Sequence, residues 1–235
     1  MLRAIFFCLL FYPWTLFSLL VALGVAPFGQ NRVHSWGIFW GRTCLRLAGL
    51  KFTVSGTEHL PHHEPAIYVC NHQSNFDILL LYAGLPIQFR WMAKKELFRI
   101  PLFGAAMKCA GYIPIDRSNR REAMRSLTAA AQRIKDGASV VIFPEGTRTT
   151  DGKLQPFKKG ALLIATKAGV PVVPMAISGS YQAQPKGQFR ISPAHLKLTI
   201  LPAIPPSRLG ASQVDELTRQ LFDRIDHCLN NESRP

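Results

Sequence analysis

An α/β layered fold with a mixed, largely parallel sheet is what this chain predicts, and two observations carry the prediction. Short apolar runs of strand length recur through the body of the chain, among them Lys51–Ser55, Ala66–Cys70, Ser139–Phe143, Val170–Ile177 and Leu196–Leu201. Between them lie segments with helical spacing that close on glycine. Strands alternating with helices in this way build a layered sheet with much parallel pairing.

Taken in order, residues 1–49 stand apart as a hydrophobic segment. No charged residue occurs between Arg3 and Arg32. The span from Ile5 to Ala26 is long enough to cross a bilayer as a helix, which needs ~20 apolar residues. A cleaved signal peptide fits poorly, because the apolar run is too long and Pro27 follows the small residues Gly24 and Ala26. A single spanning helix is one reading. Pro13 weakens it, and Gly24, Pro27 and Gly29 mark a turn. Trp36, Phe39 and Trp40, with Arg32, Arg42 and Arg46, then read as an interfacial helix with aromatic and basic anchors. The expectation is a membrane-embedded helical hairpin, with the basic segment holding the main domain on the cytoplasmic side.

Residues 50–235 form the second unit. Lys51–Ser55 and Ala66–Cys70 read as strands, and Ser74 or Asn75 caps a helix starting near Phe76. Arg121–Lys135 is Ala-rich with Met124, Leu127 and Ile134 at helical spacing, and Gly137 follows. Ser139–Phe143 is a buried strand, and Ala161–Lys167 a helix ending at Gly169. Val170–Ile177 is a strand carrying two prolines, which places it at an edge or on a bend. Leu196–Leu201 is a further strand, and Asp215–Leu229 a closing amphipathic helix.

The net charge of +14 and a pI near 10.0 call for an anionic partner: nucleic acid, anionic lipid, or a phosphate-bearing substrate. From Lys153 to Lys197 there are seven Lys/Arg, with Arg208 beyond, and no acidic residue between Gly152 and Val214. The five cysteines are scattered without a Cys-x-x-Cys pair, which argues against both a disulfide scaffold and a zinc site and fits a reducing compartment. His59, His62 and His63 cluster in one loop without a second ligand group. His34, His195 and His227 read as interfacial or surface residues.

The chemistry concentrates in Asn71-His72-Gln73-Ser74-Asn75-Phe76-Asp77. A loop-borne His72 can fold back onto Asp77 in the first helical turn, giving a base and its orienter. The bland alternative is a turn-capping histidine with an ordinary N-terminal helix charge. Cys70 is nearby, yet a small buried strand residue is the simpler reading. Three more windows matter: Gly111–Arg117, Phe143-Pro144-Glu145-Gly146-Thr147-Arg148, and Val170–Pro174. Each is expected at the carboxyl end of a strand, where open α/β sheets gather ligands. Together they suggest one pocket of His72, Asp77, Arg117, Glu145 and Arg148. Arginine suits phosphate through its planar fork. Glu145 can hold hydroxyls or fix the arginine, and Gly146 lets the backbone turn tightly.

In this order, the four windows resemble the glycerophospholipid acyltransferase family, and most of all its bacterial members that acylate lysophosphatidic acid. His72 and Asp77 match its His-x4-Asp motif, Gly111–Arg117 the second, Glu145–Arg148 the Glu-Gly-Thr-Arg box, and Val170–Pro174 the fourth. Ala93–Phe98 with Ile100–Gly104, and Phe157–Gly160, match the approaches to the second and fourth. The resemblance covers about residues 50–205. It implies transfer of a fatty acyl group from acyl-CoA or acyl-carrier protein to the sn-2 hydroxyl of 1-acylglycerol 3-phosphate, giving phosphatidic acid. His72 would be the general base and Asp77 its orienter, with no acyl-enzyme. Arg117 and Arg148 would take the phosphate, with Lys94 as a helper. Glu145, Gly146 and Thr147 would shape the glycerol end. No cofactor or metal is implied, and the bilayer is the second partner.

Other lysophospholipids, a lyso-aminolipid or glycerol 3-phosphate remain open as acceptors. Two rivals belong to other classes. A basic nucleic-acid binder lacks any recognised motif. A non-catalytic lipid-binding membrane protein would not need a base.

Overall fold

The computed structural model describes residues 1–61, 64–116, 118–205 and 214–232. Two long helices open the chain, α1 (Leu2–Val25) and α2 (Gln30–Leu47), joined by a tight turn that ends at Gly29 with φ +99°. They run antiparallel. Arg3 donates to the carbonyls of Ala48 and Gly49 at one end, and Trp36 Nε1 to the carbonyl of Ser18 at 3.0 Å toward the other. The hairpin form matches the sequence reading. Pro13, however, does not break α1, which continues on both sides of it.

The body follows as β1 (Lys51–Ser55), β2 (Ile67–Cys70), α3 (Phe76–Gly84), β3 (Arg90–Lys94), α4 (Phe103–Cys109), β4 (Ile113–Ile115), α5 (Arg120–Lys135), β5 (Val140–Ile142), α6 (Lys159–Ala168), β6 (Val172–Ser178), α7 (Ser180–Ala183), β7 (His195–Ile200) and α8 (Val214–Glu232). One seven-stranded sheet runs in the order β1-β7-β6-β2-β5-β3-β4. β2 to β6 are mutually parallel, while β7 is antiparallel to β6 and parallel to β1. The carboxyl ends of β2 to β6 therefore share one edge.

Burial explains the order. β2 and β5 are buried throughout and β6 nearly so, so they sit in the middle with both faces covered. β1 alternates exposed and half-buried residues, as an outer strand does. One face of the sheet, with Tyr68, Cys70, Val141, Val173 and Met175, packs under the hairpin, α3 and α4. The other, with Ile67, Val69, Val140 and Ile142, packs under α5, α6 and α8.

α2 lies close on α3 because Gly37 and Gly41 face Tyr82. A Cβ at Gly41 would come within 2.7 Å of the Tyr82 Cβ. The hairpin thus shares its core with the body, with Val33, Cys44 and Leu45 buried in the same cluster as Leu80 and Leu81.

Three expectations are corrected. β6 is an interior strand, not an edge. Pro174 is tolerated because it lies beyond the last residue of β7, where its carbonyl accepts from Leu201 N at 2.9 Å and its missing N–H falls outside the ladder. The Val170–Pro174 window starts its strand rather than ending one. Val172 pairs with Ile67 and Pro174 with Val69, so the window lies in the buried body of the sheet. His34 is fully buried, not superficial. Its Nδ1 hydrogen-bonds with Tyr112 Oη at 3.3 Å, and its ring meets Phe89 edge-on at 4.5 Å.

Candidate active site

β2 ends at Cys70 and α3 begins at Phe76, and the five residues between them form the centre of the site. Asn71 anchors the loop. Its side chain donates to the carbonyl of Ile177 at 2.8 Å and accepts Ile177 N at 2.7 Å, tying β2 to β6. The chain then turns so that His72 Nδ1 lies 2.8 Å from Asp77 Oδ2. The same oxygen accepts the backbone N–H groups of Gln73 at 2.6 Å and Ser74 at 2.8 Å. The carboxylate therefore serves as both an N-terminal helix charge and the partner of the imidazole. Asp77 is fully buried and its Oδ1 has no hydrogen-bond partner among the described residues. With Nδ1–H donating to the carboxylate, Nε2 carries the free lone pair.

Two rings that sequence reasoning missed, with Glu145, complete the setting of His72. Phe143, the residue after β5, stacks on the imidazole with centroids 3.9 Å apart and planes at 12°, and Trp91 stacks on the far side of Phe143 at 5.7 Å. Glu145 Oε1 accepts His72 N at 2.6 Å, and its Oε2 accepts Gln155 N at 3.2 Å. Glu145 is 3% exposed, and burial pushes its carboxyl up to about 7 against the pull of those two N–H groups. Each of its two oxygens is engaged by a backbone N–H, and no bond from it to Arg148 occurs among the described residues. Glu145 was named from the sequence as a pocket residue; its bond to the His72 backbone was not.

The Glu-Gly-Thr-Arg turn follows. Gly146 has φ +75°, and a Cβ there would meet Lys158 Nζ at 3.0 Å, so the lysine lies over the turn. Thr147 is exposed, and Arg148 half-buried. Lys186, absent from the sequence expectation, donates to Thr147 Oγ1 at 3.1 Å and to the Arg148 carbonyl at 3.2 Å. Lys94 is exposed at the end of β3, opposite Ile115 in register. Arg117 lies outside the described residues. Asp116 before it pairs with Lys95 at 2.9 Å. The edge thus carries a histidine–carboxylate pair with Lys94, Lys158, Lys186 and Arg148 on the turns that follow β3, β5 and β6.

Cys70 is fully buried, and burial, with the Asp77 and Glu145 charges, pushes its thiol well above the ordinary range, so it stays protonated. His59 bonds with the Ile200 carbonyl at 2.9 Å, and His62 and His63 lie outside the described residues. Among the described residues no group of three or more His, Cys, Asp or Glu could hold a metal ion.

A family model described as acyltransferase matches residues 51–178, more than half the chain. A 1-acyl-sn-glycerol-3-phosphate acyltransferase of Limnanthes alba is 35% identical over 89% of this chain and 74% of its own length. The human 1-acyl-sn-glycerol-3-phosphate acyltransferase alpha is 33% identical over 95% of this chain and 79% of its own.

This chain belongs to the acyltransferase family. The fold of this acyltransferase agrees throughout with the crystal structure of the 1-acyl-sn-glycerophosphate acyltransferase of Thermotoga maritima, with a TM-score of 0.87 and 28% identity over 100% of this chain and 96% of that one. The match includes the hairpin as well as the sheet.

Proposed function

We propose that this acyltransferase moves a fatty acyl group from acyl-CoA or acyl-carrier protein to the sn-2 hydroxyl of 1-acylglycerol 3-phosphate, giving phosphatidic acid. The observation that carries the reading is the His72–Asp77 pair at a basic sheet edge, in a chain whose relatives bear that activity in their names. His72 Nε2 takes the hydroxyl proton as the oxygen attacks the thioester carbonyl carbon. The tetrahedral intermediate collapses, the C–S bond breaks, and the thiolate recovers the proton from the imidazolium. Asp77 holds the tautomer and offsets the imidazolium charge. General-base help accounts for ~10²–10⁴-fold, and positioning and oxyanion stabilisation supply the rest. No acyl-enzyme forms. Arg148 and Arg117 are assigned to the acceptor phosphate, with Lys94 beside them, while Gly146 and Thr147 shape the turn around the glycerol end.

The hairpin gives this chemistry its place. α1 has 24 residues, about 36 Å at 1.5 Å per residue, and is apolar enough to cross a membrane by length and composition. Its outer face exposes Leu9, Leu16 and Leu20. We assign residues 1–49 to the cytoplasmic leaflet of the inner membrane and residues 50–235 to the catalytic domain on the cytoplasmic side. Substrate and product then keep their chains in lipid, avoiding ~0.8 kcal/mol per exposed CH₂.

The test is thiol release from long-chain acyl-CoA by the purified protein, with lysophosphatidic acid or glycerol 3-phosphate as acceptor, beside His72→Ala. Release that needs both lysophosphatidic acid and His72 is expected. Release unchanged in His72→Ala sinks the base assignment, and release with glycerol 3-phosphate alone moves the acceptor.

A further inference from the structure

We propose that this acyltransferase grips an anionic bilayer with a second surface besides the hairpin: an apolar and basic rim on either side of His72, made by the 97–102 turn after β3 and the 185–190 loop after α7. The inference rests on the membrane reading above and adds to it the face of the catalytic body that meets lipid.

The distribution of exposed apolar side chains carries it. Among the described residues, the large exposed hydrophobics fall on residues 1–39 of the hairpin, or are Leu97 (37%), Ile100 (47%), Leu102 (37%) and Phe189 (55%). None lies on β1, α5, α6 or α8. Scattered single hydrophobics are ordinary on a protein surface, but confinement to the hairpin and one edge of the body is not.

Both segments belong to the carboxyl edge that holds His72. The 97–102 turn follows β3, next to β5, and the 185–190 loop follows β6 and α7, next to β2. They therefore flank the histidine on opposite sides. The second is held to the site. Lys186 bonds to Thr147, and the carbonyl of Gln184 accepts Ser74 Oγ at 2.8 Å.

The 97–102 turn sends Phe98 into the core and presents Leu97, Ile100 and Leu102 outward. Gly104 N donates to the Ile100 carbonyl at 2.7 Å, and a Cβ at Gly104 would fall 2.2 Å from the Phe98 carbonyl oxygen, so the backbone has no slack. Leu102 takes φ +58°, a region that a leucine rarely adopts. Its neighbour Phe103 shares a small cavity with Thr15 and Ser18 of α1. The turn is thus continuous with the hairpin.

Arg99 and Arg190 are exposed beside these apolar groups. Apolar side chains interleaved with arginine suit the headgroup zone of an anionic bilayer, where the ring or aliphatic chain sinks and the guanidinium meets phosphate. With lipid on both sides of His72, the mouth of the site opens at the level where the glycerol of an acceptor lies.

The test places one tryptophan in each segment of the full chain, Ile100→Trp and Phe189→Trp, with the unaltered chain as baseline. The control is Lys135→Trp, an exposed position at the opposite edge of the sheet, just before β5. Vesicles are brominated phosphatidylcholine mixed with phosphatidylglycerol, whose bromines quench only tryptophans that enter the acyl region. The added emission at 100 and at 189 should lose most of its intensity, and that at 135 should keep it. Omitting phosphatidylglycerol should weaken the quenching at both rim positions. No quenching at 100 and 189, quenching at only one of them, or equal quenching at 135 overturns the rim. Equal quenching without the anionic lipid overturns its charge preference. The readout needs no turnover, so a failed acyl-transfer assay leaves the rim standing, and absent quenching leaves the chemistry of His72 standing.

Discussion

Glu145 Oε1 accepts the backbone N–H of His72 at 2.6 Å, so a carboxylate 73 residues downstream fixes the peptide that carries the imidazole. The bond joins the loop after β2 to the turn after β5. A carboxylate that braces backbone in this way acts on the base through its position.

The protonation of Glu145 gives the first prediction. Burial raises its carboxyl from 4.5 to about 7, so the folded state holds the proton more tightly than the unfolded chain. Its contribution is fully present below about pH 4.5 and is lost as pH rises through about 7. The shift corresponds to about 3 kcal/mol. Wild-type stability in denaturant should therefore fall between pH 5 and 8 relative to Glu145→Gln. Parallel curves for the two proteins would show that Glu145 does not titrate there.

Asp77→Asn separates charge from shape. Three donors converge on Oδ2, and an amide oxygen can receive them. The NH₂ would then take the place of Oδ1, which has no partner, at a cost of about 1–3 kcal/mol. The variant should fold with that loss, while turnover falls ~10²–10⁴-fold for want of a charge to support the imidazolium. Turnover within a few-fold of wild type would mean that Asp77 only caps α3.

Phe143→Leu removes the ring stacked on His72 and keeps most of the volume. A swap of this kind costs less than about 1.5 kcal/mol. Steady-state kinetics should show kcat falling with the acceptor KM unchanged, because the change loosens the base and leaves the phosphate contacts. A rise in KM alone would place Phe143 in binding instead.

Arg148→Ala should raise the KM for the acceptor more than for the acyl donor. Lys186→Ala should do the same more weakly, since Lys186 holds Thr147 and the Arg148 carbonyl from outside. An unchanged acceptor KM in Arg148→Ala would remove it from the phosphate site.

Membrane attachment is better tested on the outer face of α1 than by deleting residues 1–49. Deletion would strip Val33, Cys44 and Leu45 from the core beside α3. Leu9→Gln with Leu16→Gln changes exposed positions only. The protein should then move from membrane to soluble fractions with its melting temperature held. Full retention in membranes would place the anchor elsewhere.

The parallel strands, the helix starting at Phe76 and the closeness of His72 to Asp77 were legible because they rest on local pattern and on positions five apart. β3 was not read as a strand. Arg90 opens its apolar run, and beyond the adjacent Phe89 carbonyl only tertiary structure supplies the Asn31 side chain that receives its guanidinium. His34 looked superficial for the same reason, since Tyr112 is 78 residues away. The bonds from Glu145 and Lys186 join distant segments, and no local spacing encodes them. Val170–Pro174 was assigned to a carboxyl end although it opens the Val170–Ile177 run, and chain direction alone puts it at the amino end of that strand.

The contact between hairpin and body holds more than apolar packing. His34 of α2 meets Tyr112, and Tyr112 shares a short hydrogen bond with Tyr82 of α3, all within a fully or nearly buried seam. A purely greasy seam between helices tolerates slippage by a turn, because one leucine replaces another at little cost. A chain of paired hydroxyl and imidazole groups does not, since any slip strands a polar atom without water. The hairpin is keyed to a single register on α3, the helix whose first turn carries Asp77, so under the membrane placement proposed above the depth of the anchor and the height of the imidazole are set together.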